Sequence, residues 1–273
     1  MENILTGFSH LNLRLYKPAV SLRPYIKNYW FVSVPDNATL KTEYLPCDTG
    51  CGITFSFNSR LIMGDRAISQ GCLISGPNTT SIPLQLGDQI DAIGIRFHPG
   101  MAYPFFQEPL NEFIAPIEPT HRIQQRLELN RIYDTLASNS STPARITQLD
   151  RWLLLLLERS VGVSSELNKA LDWLDRQTQQ PITSLSEQIN LSQRQLERLF
   201  KQWVGISPKH YSRLLRVNHA RATLRNGSGD ISLSDAALNA GYFDQAHFNR
   251  EFKQVVGLTP GQYLKCLEQP ARY

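Results

Sequence analysis

At 273 residues, with 41% hydrophobic and 19% charged positions, the chain has the composition of a folded protein with room for two domains, which excludes a disordered or fibrous polymer. Its longest apolar run, Trp152 to Leu157, falls well short of the roughly 20 residues that a bilayer span needs, so no membrane partner is expected. The formal net charge of +4 is unevenly placed: residues 1–163 carry 14 Lys+Arg against 14 Asp+Glu and residues 164–273 carry 14 against 10, which points to an anionic partner for the C-terminal part.

The first residues, Met1 to Arg14, lack the basic region, apolar stretch and small-residue cleavage site of a secretory signal. With four scattered cysteines, a reducing cytoplasm is the expected compartment. Residues 20–100 then read as short strands. Tyr29–Val34, Ile53–Phe57, Cys72–Ser75 and Ala92–Phe97 are aromatic or β-branched runs bounded by Pro, Gly, Asn and Asp, the spacing of a sandwich or barrel. Cys47 and Cys51, with Cys72, are too few and too widely spaced for a zinc site and read as structural, so neither metal nor cofactor is expected. Two helices follow, over 120–136 and 145–159, separated by a loop from Ala137 to Pro143, and Val161–Ser165 reads as a hinge.

Beyond the hinge the chain repeats itself. Phe200-Lys-Gln-Trp-Val-Gly-Ile-Ser-Pro-Lys-His-Tyr211 matches Phe252-Lys-Gln-Val-Val-Gly-Leu-Thr-Pro-Gly-Gln-Tyr263 at an offset of 52, and Asn190 aligns with Gly241 once one residue is inserted. Each copy reads as helix, tight turn, helix. In the first, Ser184-Leu-Ser-Glu187 has the form of a capping box opening a short helix with Leu185 and Ile189 inside. Asn190 tolerates the left-handed turn, and Ser192 with Gln195 caps a second helix in which Leu196, Leu199, Phe200 and Trp203 form the buried stripe. In the second, Ala236, Ala237 and Ala240 precede Gly241, and Asp244 caps a helix with Phe248 and Phe252 inside. Gly, an apolar residue, Ser or Thr and Pro follow each copy, so that Pro208 opens a long helix joining the two. Within 192–225 eight basic residues face one acid, Glu197.

These residues, above all Gly241 to Lys253 followed by Gly257-Leu-Thr-Pro260, make the chain similar to the AraC/XylS family of transcription regulators, over about residues 165–268. Phe243 departs from the family pattern, where Ser is common, and Asn190 stands where the first unit often has Gly. The expected architecture is α+β with two domains. A β-rich N-terminal barrel or sandwich with C-terminal helices, cupin-like if the resemblance extends that far, precedes an all-α domain of two helix-turn-helix units joined by a linker helix. The corresponding divisions are 1–118 for effector sensing, 119–163 for a helical hairpin that dimerises and links, and 164–273 for binding DNA.

The resemblance implies that helices 193–203 and 245–256 enter two successive major grooves of double-stranded DNA. Arg194, Glu197 and Arg198 are the candidates for base or groove-edge contact in the first, with Gln193 and Lys201 on phosphate. Gln245, Ala246 and Asn249 are the candidates in the second, with Arg250 and Lys253 beside them. Arg198 and Arg250 occupy equivalent positions and either touch DNA or brace their units. His247, next to Phe248, is expected to orient its helix through a hydrogen bond rather than to read a base.

The resemblance also implies a small effector bound by the N-terminal domain, a homodimer and contact with RNA polymerase. Leu22-Arg-Pro-Tyr25, Tyr29-Trp30 and Arg96-Phe-His-Pro99 look like those of a poorly characterised class of such domains. Trp30, Tyr44, Phe55, Phe57, Arg96 and His98 are the candidate effector-binding residues, each with core packing as its simpler role. Arg96, in an otherwise apolar strand, needs a carboxylate from a ligand or from an internal Asp or Glu. Two other readings remain: an N-terminal half that only dimerises or binds a partner protein, and a catalytic barrel fused to a DNA-targeting domain. No HExxH, P-loop, nucleophile elbow or cluster of His ligands supports the catalytic one, and the reading is that the chain is not an enzyme.

Overall fold

The computed structural model describes residues 13–34, 42–45, 47–58, 61–63, 66–68, 70–86, 90–113, 118–139, 141–177, 180–226 and 232–268. Strands β1 (Arg14–Tyr16), β2 (Ile26–Val34), β3 (Thr42–Leu45), β4 (Gly52–Ser56), β5 (Leu61–Met63), β6 (Arg66–Ile68), β7 (Gly71–Ser75), β8 (Ile82–Leu86) and β9 (Ile90–Phe97) form two antiparallel sheets. One runs β1-β2-β9-β4-β7 and the other β3-β8-β5-β6. The expectation of a β-rich N-terminal part in an α+β chain is met.

Side chains alternate across the five-stranded sheet, so its register decides which of them meet. Tyr29 pairs with Ile95 and Phe31 with Ile93, while Ile53 and Phe55 pair with the same two residues from the other side, which puts this whole set on one face. Trp30 pairs with Gly94, and Gly94 with Thr54, on the opposite face. A Cβ at position 94 would lie 1.8 Å from the Trp30 ring, so the indole lies across that strand only because residue 94 is Gly.

The aromatic face is covered by helices α1 (Tyr103–Phe106), α2 (His121–Leu127), α3 (Leu129–Ala137) and α4 (Thr142–Glu158). One core holds Tyr29, Phe55, Ile95 and Phe97 together with Ile123, Leu136, Leu149 and Trp152. Polar bonds fix α4 at two levels. Asp150 accepts from the Tyr29 hydroxyl at 2.8 Å and the Ala19 backbone N–H at 2.9 Å. Arg145, 5% exposed, donates to both Asp91 oxygens at 2.6 and 2.8 Å and lies over the Phe57 ring at 4.4 Å.

Two sequence expectations are corrected here. The helix over 120–136 is broken at Glu128, which has φ 51°, and the Trp152 indole N–H satisfies the Leu127 carbonyl at 2.8 Å beside the break. The break lets α2 and α3 both turn apolar residues into the same core. The following helix begins at Thr142, capped by Ser141 with Pro143 in its first turn, so the loop is shorter than predicted.

The C-terminal part is helical: α5 (Ser165–Arg176), α6 (Ile182–Gln188), α7 (Gln193–Trp203), α8 (Pro208–Asn226), α9 (Leu233–Asn239), α10 (Gln245–Val256) and α11 (Pro260–Glu268). Helix α6 begins at Ile182, before the predicted box. The Ser184 N–H already bonds to the Pro181 carbonyl, so Ser184 sits inside the first turn instead of capping it. Among the described residues no helix is long and apolar enough to cross a membrane.

Candidate nucleic-acid interface

The two units are built by the same local chemistry. Asn190 (φ 55°) and Gly241 (φ 79°) adopt the left-handed conformation that ends α6 and α9. Ser192 and Gln195 form the predicted capping box on α7, and Asp244 caps α10 by accepting from the His247 N–H at 2.7 Å. Leu196, Phe200 and Trp203 are buried inside the first unit, and Phe248, Phe252 and Val255 inside the second. The long helix α8 serves both: Tyr211 joins the first core, while Leu214, Val217, Ala220 and Leu224 join the second.

Burying those stripes leaves matching rows on the other side. Arg194, Arg198 and Lys201 on α7 are exposed, as are Ala246, Arg250 and Lys253 on α10. Gln193 and Gln245 are exposed at the helix starts, and Glu197 and Asn249 are half-buried at the edge of each row. Asn249 keeps a buried side-chain oxygen without a hydrogen-bond partner.

The position of His247 matches a bracing role. Its Nε2 lies 3.4 Å from a Glu251 oxygen and its ring meets Tyr242 edge-on at 5.4 Å. Glu251, which the sequence reading passed over, is the hub: it also accepts from the Tyr242 hydroxyl at 2.9 Å and lies 3.9 Å from Arg216 of α8. It stands four residues after His247, so helical spacing alone would have nominated it. Arg213 of α8 reaches Gln254 and His210, completing the seam between α8 and α10.

Several segments of the N-terminal part contact the far ends of the two exposed helices, and residues 77–81 reach both. Where α7 ends at Gly205, an added Cβ would lie 2.8 Å from the Leu110 carbonyl and 2.9 Å from Pro77. At the end of α10, Ser81 donates its backbone N–H to the Val255 carbonyl at 3.0 Å and its hydroxyl at 3.4 Å. Between them the Cys47 thiol donates to the Asn78 carbonyl at 2.7 Å and packs in the core of the second unit beside Leu214 and Val217. Tyr103 stacks on Trp203 at 4.4 Å and bonds Gln202. Residues 77–81 therefore touch the ends of both helices at once.

The candidate effector residues do not form one constellation. Phe55 and Phe57 lie in the core beneath the helices, Phe55 against Trp152 and Phe57 against Tyr133. Trp30 and Arg96 lie on the opposite face. Arg96 meets Asp48 through two nitrogens, so of the two partners considered it has the internal carboxylate. His98 stands past the end of β9, its pKa lowered chiefly by burial and next by Lys27. The side chain of Tyr44 lies outside the described residues. Burial pushes the thiols of Cys47 and Cys51 up to about 11 and about 12, and among the described residues no group of three or more His, Cys, Asp or Glu is placed to hold a metal.

Residues 185–265 match the family described as "Helix-turn-helix domain", and residues 14–116 match "Domain of unknown function (DUF6597)". The transcriptional activator RhaS of Escherichia coli O139:H28 is 29% identical over 151 residues, 53% of this chain and 52% of that protein. RhaS of Citrobacter koseri is 32% identical over 107 residues, 38% of each. The chain thus spans about half the length, or less, of these curated relatives. Among solved structures, an AraC-type regulator from Chromobacterium violaceum is 29% identical over 39% of this chain and 95% of its own, with a TM-score of 0.36. ToxT from Vibrio cholerae is 10% identical over 85% of this chain and 100% of its own, with a TM-score of 0.47. The internal repeat, the helix-turn-helix match over residues 185–265 and the likeness to RhaS make the C-terminal part of this chain similar to that of AraC-type transcription regulators.

Proposed function

We propose that this chain is a sequence-specific DNA-binding regulator whose two recognition helices, α7 and α10, enter successive major grooves of one duplex face. The observation that carries this reading is the matched pair of exposed rows on two helices held to a common linker helix. A major groove about 12 Å wide admits one helix, and grooves on one face recur once per helical turn. Arg194 and Arg198 suit guanine, Glu197 suits cytosine, Gln245 and Asn249 suit adenine, and Ala246 suits a thymine methyl. Gln193, Lys201, Arg250 and Lys253 attract phosphate.

Binding by the full chain to duplexes selected from a random library tests this. Arg194→Ala should lower affinity and relax preference at one base-pair step by roughly 1–3 kcal/mol. Equal loss on selected and random DNA would reassign Arg194 to phosphate. Lys201→Ala should reduce the salt slope of binding by about one.

The N-terminal domain, in this proposal, senses a small effector on the sheet face that carries Trp30. Gly52, Thr54, Ser56, Ser75, Ala92 and Gly94 on that face are small and buried, and a small side chain is the form that a sheet face takes where another group lies against it. β7 runs from this face into the loop that grips α7 and α10, which gives an effector a path to the helices. Thermal unfolding of the full chain against a metabolite panel should find a stabilising compound whose effect is lost in Trp30→Ala. A panel with no stabilising member would leave the dimerisation reading in its place.

A further inference from the structure

The turn leading into α10 is one residue longer than its counterpart before α7, and the added residue is Phe243. The backbone identifies it. After α6 the Leu191 N–H bonds to the Ser186 carbonyl at 3.1 Å, and after α9 the Tyr242 N–H bonds to the Ala237 carbonyl at 2.9 Å, so Leu191 and Tyr242 are equivalent. Ser192 and Asp244 are equivalent as helix caps. No residue separates Leu191 from Ser192, whereas Phe243 separates Tyr242 from Asp244.

Tyr242 is 2% exposed and occupies the core of its unit, while Phe243 is 97% exposed. Nothing local calls for an aromatic there. The turn would be served by Ser, Asn, Asp or Gly, and Phe243 covers no part of the core. Its place is at the leading end of the second recognition helix, immediately before the cap and three residues before exposed Ala246. The leading residues of a recognition helix are those that meet base edges, and the C5-methyl of thymine is the apolar feature displayed in the major groove.

We propose that Phe243 is a specificity-determining residue that packs, together with Ala246, on a thymine methyl in the groove read by α10. The inference rests on the DNA-binding reading given above and sharpens it: the second unit reads A·T pairs through an apolar contact, while the first reads through charge.

The test uses the full chain and duplexes selected by it from a random library, resynthesised with deoxyuridine in place of each thymine in turn. That change removes the methyl and keeps base pairing. The wild type should lose about fourfold in affinity, the equivalent of one buried methyl, at one or two thymines within a single half-site. Phe243→Ala should bind the thymine duplex more weakly by a similar factor and be indifferent to deoxyuridine at those same positions. Because the side chain is exposed, the variant folds as the wild type does. A variant that keeps the wild-type deoxyuridine profile overturns the proposal. So does one that binds DNA normally but fails to activate transcription, which would make Phe243 a protein contact. If the wild type enriches no duplex, the DNA-binding reading itself falls, and the proposal with it.

Discussion

Gly205 and Gly257 are equivalent residues of the repeat in different surroundings, and substituting each with Ala separates backbone strain from domain docking. Both are left-handed, with φ of 89° and 85°. An Ala in that conformation costs roughly 1–2 kcal/mol. At Gly257 nothing lies within 4 Å of the added methyl, so that strain is the whole expected loss for Gly257→Ala. At Gly205 the methyl would meet the Leu110 carbonyl oxygen at 2.8 Å, the Leu110 carbonyl carbon at 3.0 Å and Pro77 at 2.9 Å. Two of these atoms are backbone and cannot swing aside, so overpacking adds about 1–3 kcal/mol unless the domains part. Either response is measurable. Urea unfolding of the full chain should show Gly205→Ala less stable than Gly257→Ala by at least about 1 kcal/mol, or as stable but cleaved faster by protease at residues 161–165. Equal stability with equal cleavage would refute the docking of Pro77 and Leu110 against the end of α7.

Three further outcomes follow from single sites. Asp91→Asn leaves the Arg145 guanidinium buried without its bidentate partner and should cost roughly 3–5 kcal/mol, read as a lowered urea midpoint; a loss under about 1 kcal/mol would mean that the pair is solvated. His98 and His210 have pKa values lowered from 6.5, in both cases chiefly by burial, with Lys27 and Arg213 next. A lowered histidine binds its proton less tightly in the folded than in the unfolded chain, so stability should fall as pH drops through the unfolded value of 6.5, and the fall should shrink in the double variant with both replaced by Gln; a melting temperature rising toward acid would contradict this. Of the four free thiols, burial raises those of Cys47, Cys51 and Cys72, leaving exposed Cys266 as the one that reacts first with a thiol reagent in the native chain; rapid labelling of Cys47, which packs in the core of the second unit, would show that the contact between the domains opens.

The C-terminal domain was legible because its signals are local. Ser192 with Gln195, Asn190, Gly241, Asp244 and Pro208 each specify a turn or cap within a few residues, and the repeat supplies a second reading of every one. Ser184 misled because a capping box carries no information about Pro181, which had already set the helix start. Glu128 turns left-handed without Gly or Asn to announce it, because Leu127 and Leu129 must face one core. The effector candidates divide for a longer-range reason. Phe55 and Trp30 lie on opposite faces only by virtue of β9, which pairs Phe55 with Ile93 and Trp30 with Gly94, and no window of sequence contains that register. Docking through Pro77, Asn78 and Ser81 had no sequence signal at all. These are ordinary loop residues: the partners of Pro77 and Ser81, Gly205 and Val255, lie more than a hundred positions away, and Asn78 reaches the second unit only through Cys47.

The two units are alike in sequence yet held by different neighbours. The flank of α7 that carries Gln202 meets Tyr103 of the N-terminal domain, whereas the equivalent flank of α10, with Glu251 and Gln254, meets Arg216 and Arg213 of α8. Among the described residues the N-terminal part meets α7 along a side-chain flank and α10 at its end, so on the DNA-binding reading proposed above the Glu251 seam is what holds α10 at its distance from α7. Glu251→Ala would leave Arg216, His247 and the Tyr242 hydroxyl without their shared acceptor, a loss on the order of 2 kcal/mol in the seam. The cores of both units remain, so the effect should appear as looser spacing: on duplexes with base pairs inserted between the half-sites, the variant should lose its preference for one spacing, and Tyr103→Ala should keep it. If Glu251→Ala discriminates between spacings as sharply as the wild type, α8 alone sets the geometry and the seam is incidental to it.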